Sequence, residues 1–151
     1  MPNELDRDTL KYPSLAEMTR KAIELLNQHK EGFILMVEGS KIDWAAHRND
    51  AIGMISEIQS FDAAVQEAIR FAQADSNTLV VVVSDHGNSG ISIGNSLGDN
   101  FYDKLSLYDL MEPLAHARMT AEGLANYLIP LSKDSIPVIL SLIHISEPTR
   151  H

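Results

Sequence analysis

Apolar side chains recur along this chain at two different periods, and the changes of period divide it into elements. Pro13-Ser14-Leu15-Ala16-Glu17 opens the first helical pattern, with Ser14 as N-cap and Glu17 three residues on to complete a capping box. Leu15, Met18, Ala22, Ile23 and Leu26 then return at helical spacing, and Gly32 closes the element. Phe33-Ile34-Leu35-Met36-Val37 is a short unbroken apolar run, which predicts a strand buried on both faces. From Asp43 to about Ala74 the helical period resumes as one long element. Ile52, Ile55, Ile58, Phe61, Val65, Ile69 and Ala72 form its apolar stripe, with Glu57, Gln66 and Arg70 opposite. Asp75-Ser76-Asn77 is a turn cluster, and Leu79-Val80-Val81-Val82-Val83 predicts a second buried strand, rich in β-branched residues. Met18, Met36 and Met54 fall on apolar faces and read as core filler.

Strand, long helix and strand make a βαβ unit, which predicts two parallel strands joined by a right-handed crossover and hence an α/β fold. Beyond Gly87 the glycines at 90, 94 and 98 predict an irregular loop. Weaker helical patterns follow over 104–117 and 120–128, the second with Thr120 as N-cap. No internal repeat or low-complexity segment interrupts the chain.

Length and charge narrow the picture further. The 151 residues suit one domain with a core of its own. No apolar run approaches the ~20 residues that cross a bilayer, which argues against a membrane partner. The formal net charge of -9 repels phosphate backbones and argues against a general nucleic-acid binder. It leaves open a small anionic substrate, since a bound divalent cation reverses the local field. With no cysteine, any metal must be held by histidines and carboxylates.

Such residues gather where both strands end. The first strand runs into Glu38-Gly39-Ser40-Lys41-Ile42-Asp43-Trp44-Ala45-Ala46-His47, the second into Ser84-Asp85-His86-Gly87-Asn88. Ligands of open α/β sheets bind beyond the carboxyl ends of the strands, and a βαβ unit puts both ends on one edge. Glu38 is therefore expected to converge with Asp85 and His86. Asp43 and His47, four apart on a helix, share a face and can grip one ion, with the small pair Ala45-Ala46 leaving space around them. Carboxylate with imidazole suits zinc, and an all-oxygen surrounding of Glu38 suits magnesium. Taken singly, each has a plainer account. Asp43 also favours a helix N-terminus, Asp85-His86 also suits a turn, and Glu38 also serves as a solvated strand-end carboxylate. His29 and His116 read as solvent-facing.

These two motifs, Val37 to His47 and Ser84-Asp85-His86-Gly87-Asn88-Ser89-Gly90, closely resemble the alkaline phosphatase family. The resemblance runs from about Pro13 through Gly94 and more weakly to Pro130. It implies a partial three-layer α/β core with parallel strands and crossover helices. It also implies a phosphate monoesterase with two zinc ions, one magnesium ion and a phosphoserine intermediate. By position, Glu38 resembles the magnesium ligand, Asp43 and His47 two ligands of one zinc, and Asp85 and His86 ligands of the other. Paired ions ~4 Å apart clamp the attacking and leaving oxygens of an in-line displacement. The family places its nucleophilic serine and phosphate-clamping arginine upstream of these motifs, so no catalytic residue is assigned here. The substrates implied are small phosphate monoesters, the parent protein is expected to be a homodimer, and a periplasmic or secreted location is expected for it.

Residues 140–150, Leu-Ser-Leu-Ile-His-Ile-Ser-Glu-Pro-Thr-Arg, resemble translated sequencing-adapter DNA. The expectation is a truncated phosphatase domain over 1–139, a non-native tail over 140–151, and Met1 as an internal methionine of a longer protein. Such a fragment is expected to be inactive by itself. Two alternatives stand beside this reading: a non-catalytic divalent-metal-binding module, and another member of the same superfamily such as a phosphomutase.

Overall fold

The computed structural model describes residues 2–92, 104 and 106–131. The chain divides into two compact units, Met1–Ile91 and Ser92–His151. The first holds a short 3-10 turn, Glu4–Asp6, and three helices: α1, Leu15–Leu26; α2, Ser40–His47; and α3, Ala51–Asp75. The second holds α4, Leu107–Ala115, and α5, Ala121–Leu128. The expected tail over 140–151 lies outside the described residues.

Helix α1 begins as its sequence predicts. The Ser14 hydroxyl accepts from the Glu17 amide at 3.2 Å, and the Ser14 amide donates to Glu17 Oε2 at 2.7 Å. These two bonds satisfy amides that a helix start otherwise leaves bare. The helix ends earlier than the expected closure at Gly32: Leu26 is its last residue and Asn27 its C-cap, and Gly32, with a positive φ of 81°, turns the connecting segment that follows. Ile23 and Thr19 are buried where α1 packs on α3, and Thr19 returns its hydroxyl to Leu15 O at 2.8 Å.

The single long helix expected from Asp43 to Ala74 is two helices. Arg48, Asn49 and Asp50 interrupt it, with Asn49 in the left-handed region at φ 53°. Asp50 then starts α3 afresh, its carboxylate accepting from the Gly53 amide at 2.8 Å. Apolar periodicity runs through this break because both helices bury a face in the same core. The buried side of α3 also differs from the expected stripe. It follows Gly53, Glu57 and Ala64, whereas Ile58 is exposed. Small side chains at Gly53 and Ala64 admit the neighbouring helices, and hydrophobicity alone does not register that. Glu57, expected to face solvent, is 8% exposed, because the N-terminal turn lies against it and the Glu4 amide donates to Glu57 Oε1 at 2.6 Å. Glu4 in turn receives the Ser60 hydroxyl at 3.2 Å and pairs with Arg7 at 2.7 Å.

Neither predicted strand is a strand among the described residues. Among the described residues, 33–37 and 79–83 are unpaired, with no hydrogen bond from their backbone amides or carbonyls. A ladder needs a neighbour one strand spacing away, and these two segments are not each other's neighbour. The first still shows the alternation of a strand. Phe33, Leu35 and Val37 are partly covered, and Phe33 meets Phe71 of α3 at a ring-centroid distance of 5.9 Å. Ile34 and Met36, at 98% and 87% exposure, point the other way, whereas in the second segment Leu79, Val81, Val82 and Val83 are all exposed and Val80 alone is partly covered. The burial on both faces expected for these runs, and the core role of Met36, therefore give way to one half-covered and one bare face in 33–37 and to mostly exposed side chains in 79–83. In the described residues the first unit is a helical layer carrying two extended segments.

In the second unit, Thr120 caps α5 as its position predicts, accepting from the Gly123 amide at 3.0 Å. His116 is exposed and lies 2.9 Å from Glu112 Oε1. Among the described residues no helix is long and apolar enough to cross a membrane.

Candidate metal centre

The ends of the two extended segments lead into the residues singled out above. Glu38 follows the first segment and is exposed. Gly39 then turns the chain into α2 at a place with little room: a Cβ there would meet Phe61 Cδ2 at 3.0 Å and Ile42 Cδ1 at 3.1 Å. The Phe61 ring is thus what the chain presses against as it passes from Glu38 to α2.

Helix α2 sorts its side chains by face. Ala45 and Ala46 are buried against α3, and the close contact between Ala45 and Gly53 shows what their small size provides. The space expected around Asp43 and His47 comes instead from their exposed face. Asp43 Oδ2 and His47 Nε2 lie 3.5 Å apart, one turn from each other, so both donors face one point in solvent. Trp44 stands half-exposed beside them with Lys41 Nζ 4.0 Å from its ring centroid, a cation–π contact.

After the second segment, Asp85 and His86 form another carboxylate–imidazole pair, with His86 Nε2 3.4 Å from Asp85 Oδ2. The loop is shaped by local bonds: Asp85 Oδ1 accepts from the His86 amide at 3.0 Å, and the Ser84 hydroxyl donates to His86 O at 2.9 Å. Two longer-range bonds attach this loop to the helices. Asn88 Nδ2 donates to Asp43 Oδ1 at 2.7 Å, and the Gly90 amide donates to Asn49 Oδ1 at 2.8 Å. The loop carrying Asp85 and His86 is thereby held to the helix carrying Asp43 and His47. The left-handed Asn49 does double duty, breaking the helix and anchoring the loop.

No group of three or more His, Asp or Glu side chains gathers among the described residues. The donor chemistry nonetheless fits zinc. Two carboxylate–imidazole pairs are each open to solvent, and each would supply two of the four donors a tetrahedral ion takes. Asn49 and Asn88 were not singled out in the sequence. The signal lay in Asn88 falling two residues past His86 and Asn49 two past His47, with side chains suited to bracing turns.

A family model described as alkaline phosphatase matches residues 1–113. Alkaline phosphatase 4 of Bacillus subtilis is 47% identical over 121 residues, covering 80% of this chain and 24% of that protein. Alkaline phosphatase 3 of the same organism is 46% identical over 125 residues, covering 83% and 25%. The crystal structure of a cold-active alkaline phosphatase from the psychrophile Shewanella sp. superposes with a TM-score of 0.72 at 29% identity, covering 91% of this chain and 32% of that one. These matches mark the chain as part of an alkaline phosphatase domain. The chain belongs to the alkaline phosphatase family, and it spans about a quarter of the length of the curated relatives it matches.

Proposed function

We propose that these residues form one side of the metal centre of a phosphate monoesterase. Asp43 and His47 would hold one zinc ion, Asp85 and His86 a second, and Glu38 would take part in a magnesium site. The observation that carries this reading is the Asn88–Asp43 bond, because it joins the two donor pairs into one locality. Bound there, the ions would supply Lewis-acid stabilisation of charge on the oxygens of a phosphate ester. The chain's own part is positional. Helix α2 fixes the spacing of Asp43 and His47, Asn88 orients the Asp43 carboxylate, and the loop turn fixes Asp85 against His86.

Hydrolysis of small phosphate monoesters, through a phosphoserine in the family's manner, belongs on this reading to the whole domain and not to these 151 residues alone. The homodimer and the exported location expected for the parent remain part of the same proposal. Titration calorimetry with zinc, joined to an aryl-phosphate assay, tests it. The expected result is weak zinc binding, reduced at least tenfold by Asp43→Ala or His86→Ala, with no turnover by the chain alone. Zinc binding untouched by either substitution overturns the assignment of ligands. Sub-micromolar binding with a cooperative melt favours a self-sufficient metal-binding module instead.

A further inference from the structure

Asn88 precedes the small residue Ser89, and both are exposed on the loop that ties Asp85 and His86 to α2. The side-chain amide of Asn88 is held at both ends. Nδ2 donates to Asp43 Oδ1 at 2.7 Å, and Oδ1 accepts from the Ser89 backbone amide at 2.6 Å. The Ser89 nitrogen is therefore close to Cγ, the carbon that carries both atoms. A carbonyl bond is about 1.23 Å long, so Cγ lies within about 3.8 Å of that nitrogen. Atoms about 3 to 3.5 Å apart and aligned are poised to react, and a small torsion of the side chain spans the difference. Ser89 offers little obstruction. Its hydroxyl accepts from the Ile91 amide at 3.3 Å, and its φ of 90° is a strained setting for a residue with a Cβ.

We propose that Asn88 is a site of spontaneous deamidation, and that the change unties the loop from α2. The Ser89 nitrogen gives its proton to hydroxide and forms a bond to Cγ of Asn88. The Cγ–Nδ2 bond breaks, and Nδ2 takes a proton from water and leaves as ammonia. Water then opens the resulting succinimide ring at one carbonyl or the other, leaving an aspartyl or an isoaspartyl residue at position 88. No metal, redox partner or enzyme takes part.

Either product reverses the bond that the amide made. A carboxylate has no N–H to give, so an acceptor then faces the Asp43 carboxylate where a donor stood, and the two like charges repel. The Gly90 amide still reaches Asn49, so the loop is loosened and not lost. For the proposed metal centre, the two donor pairs lose the bond that joins them. That consequence rests on the metal-centre reading, while the chemistry at Asn88 does not.

The sequence supplies its own control. Gly94-Asn95-Ser96 repeats the tripeptide Gly87-Asn88-Ser89, so the immediate neighbours favour neither asparagine. The full 151-residue chain is held in mildly alkaline buffer with EDTA, with and without urea, and peptide mass spectrometry follows conversion at each asparagine. Equal rates are expected in urea, and about tenfold faster conversion at Asn88 than at Asn95 in the folded chain. Equal rates in the folded chain, or a rate at Asn88 that falls on folding, overturns the assignment. The aged chain and the Asn88→Asp variant are both expected to exchange the amides of residues 84–90 several-fold faster, with α1 amides unchanged as the control for folding. Loop exchange in Asn88→Asp as slow as in the parent chain overturns the untying. Because metal is excluded throughout, failure here leaves the zinc titration untouched, and failure there leaves this result standing.

Discussion

Asp43 is the most constrained of the candidate ligands. One oxygen receives the Asn88 amide at 2.7 Å, and the other lies 3.5 Å from His47. A ligand held this way loses little freedom on binding. Asn88→Ala is therefore expected to weaken zinc binding by about 10- to 100-fold while leaving helix content unchanged, measured by calorimetry and circular dichroism. Glu57 supports a different prediction. Burial pushes its carboxyl above the ordinary value of 4.5, reinforced by the Glu4 and Asp6 carboxylates and opposed by the Glu4 amide bond and Lys41. A carboxyl whose folded pKa is raised binds its proton more tightly in the folded chain. Its contribution is fully present below 4.5 and is lost as pH rises through the folded value. Glu57→Gln is thus expected to gain stability relative to the parent chain as pH climbs from 4.5 toward neutrality, read from melting temperatures in a buffer series. All five candidate metal ligands were visible in the sequence, since motif and spacing name donors directly. Asn49, Asn88 and Glu57 were not, because their roles come from partners more than forty positions away.

Local signals predicted the elements well where one residue decides the outcome. Ser14 and Thr120 cap the helices that their positions promised, whereas the first helix ends at Leu26, ahead of Gly32. The period itself was a poorer guide between Asp43 and Ala74. Two helices packed on one core keep an apolar rhythm across their junction, and the capping residue Asp50 was the mark of the break. Its importance is measurable: Asp50→Ala removes the acceptor for the Gly53 amide and is expected to cost about 1 kcal/mol in denaturant unfolding of the chain. The strand readings are not realised as paired strands among the described residues, for another reason. Their unbroken apolar runs suit residues 33–37 and 79–83 to a sheet, but a strand is a relation between neighbours, and no run of residues reveals where the neighbour is.

Across the first unit as a whole, helices cover one side of the extended segments and nothing described covers the other. Ile34 at 98% and Leu79 at 85% exposure head a patch of aliphatic surface that also includes Met36, Val81 and Val83. Large aliphatic side chains exposed in such number mark an interaction surface rather than a finished exterior. The double substitution Ile34→Lys with Leu79→Lys is expected to lower binding of a hydrophobic dye such as ANS several-fold. It is also expected to shift stability by no more than about 0.5 kcal/mol, because neither side chain is packed. A large loss of stability would mean that the patch is covered in solution.

The bonds from Asn88 to Asp43 and from Gly90 to Asn49 close loops of 45 and 41 residues, and both lie at the surface. Long closures are the last contacts to be gained in folding and, when solvent-exposed, among the first to open. Their fate is separable from that of the α1–α3 packing. Gentle warming would then part the two donor pairs while the helices still stand, so that the proposed metal centre comes apart ahead of the melt, as a local and reversible event.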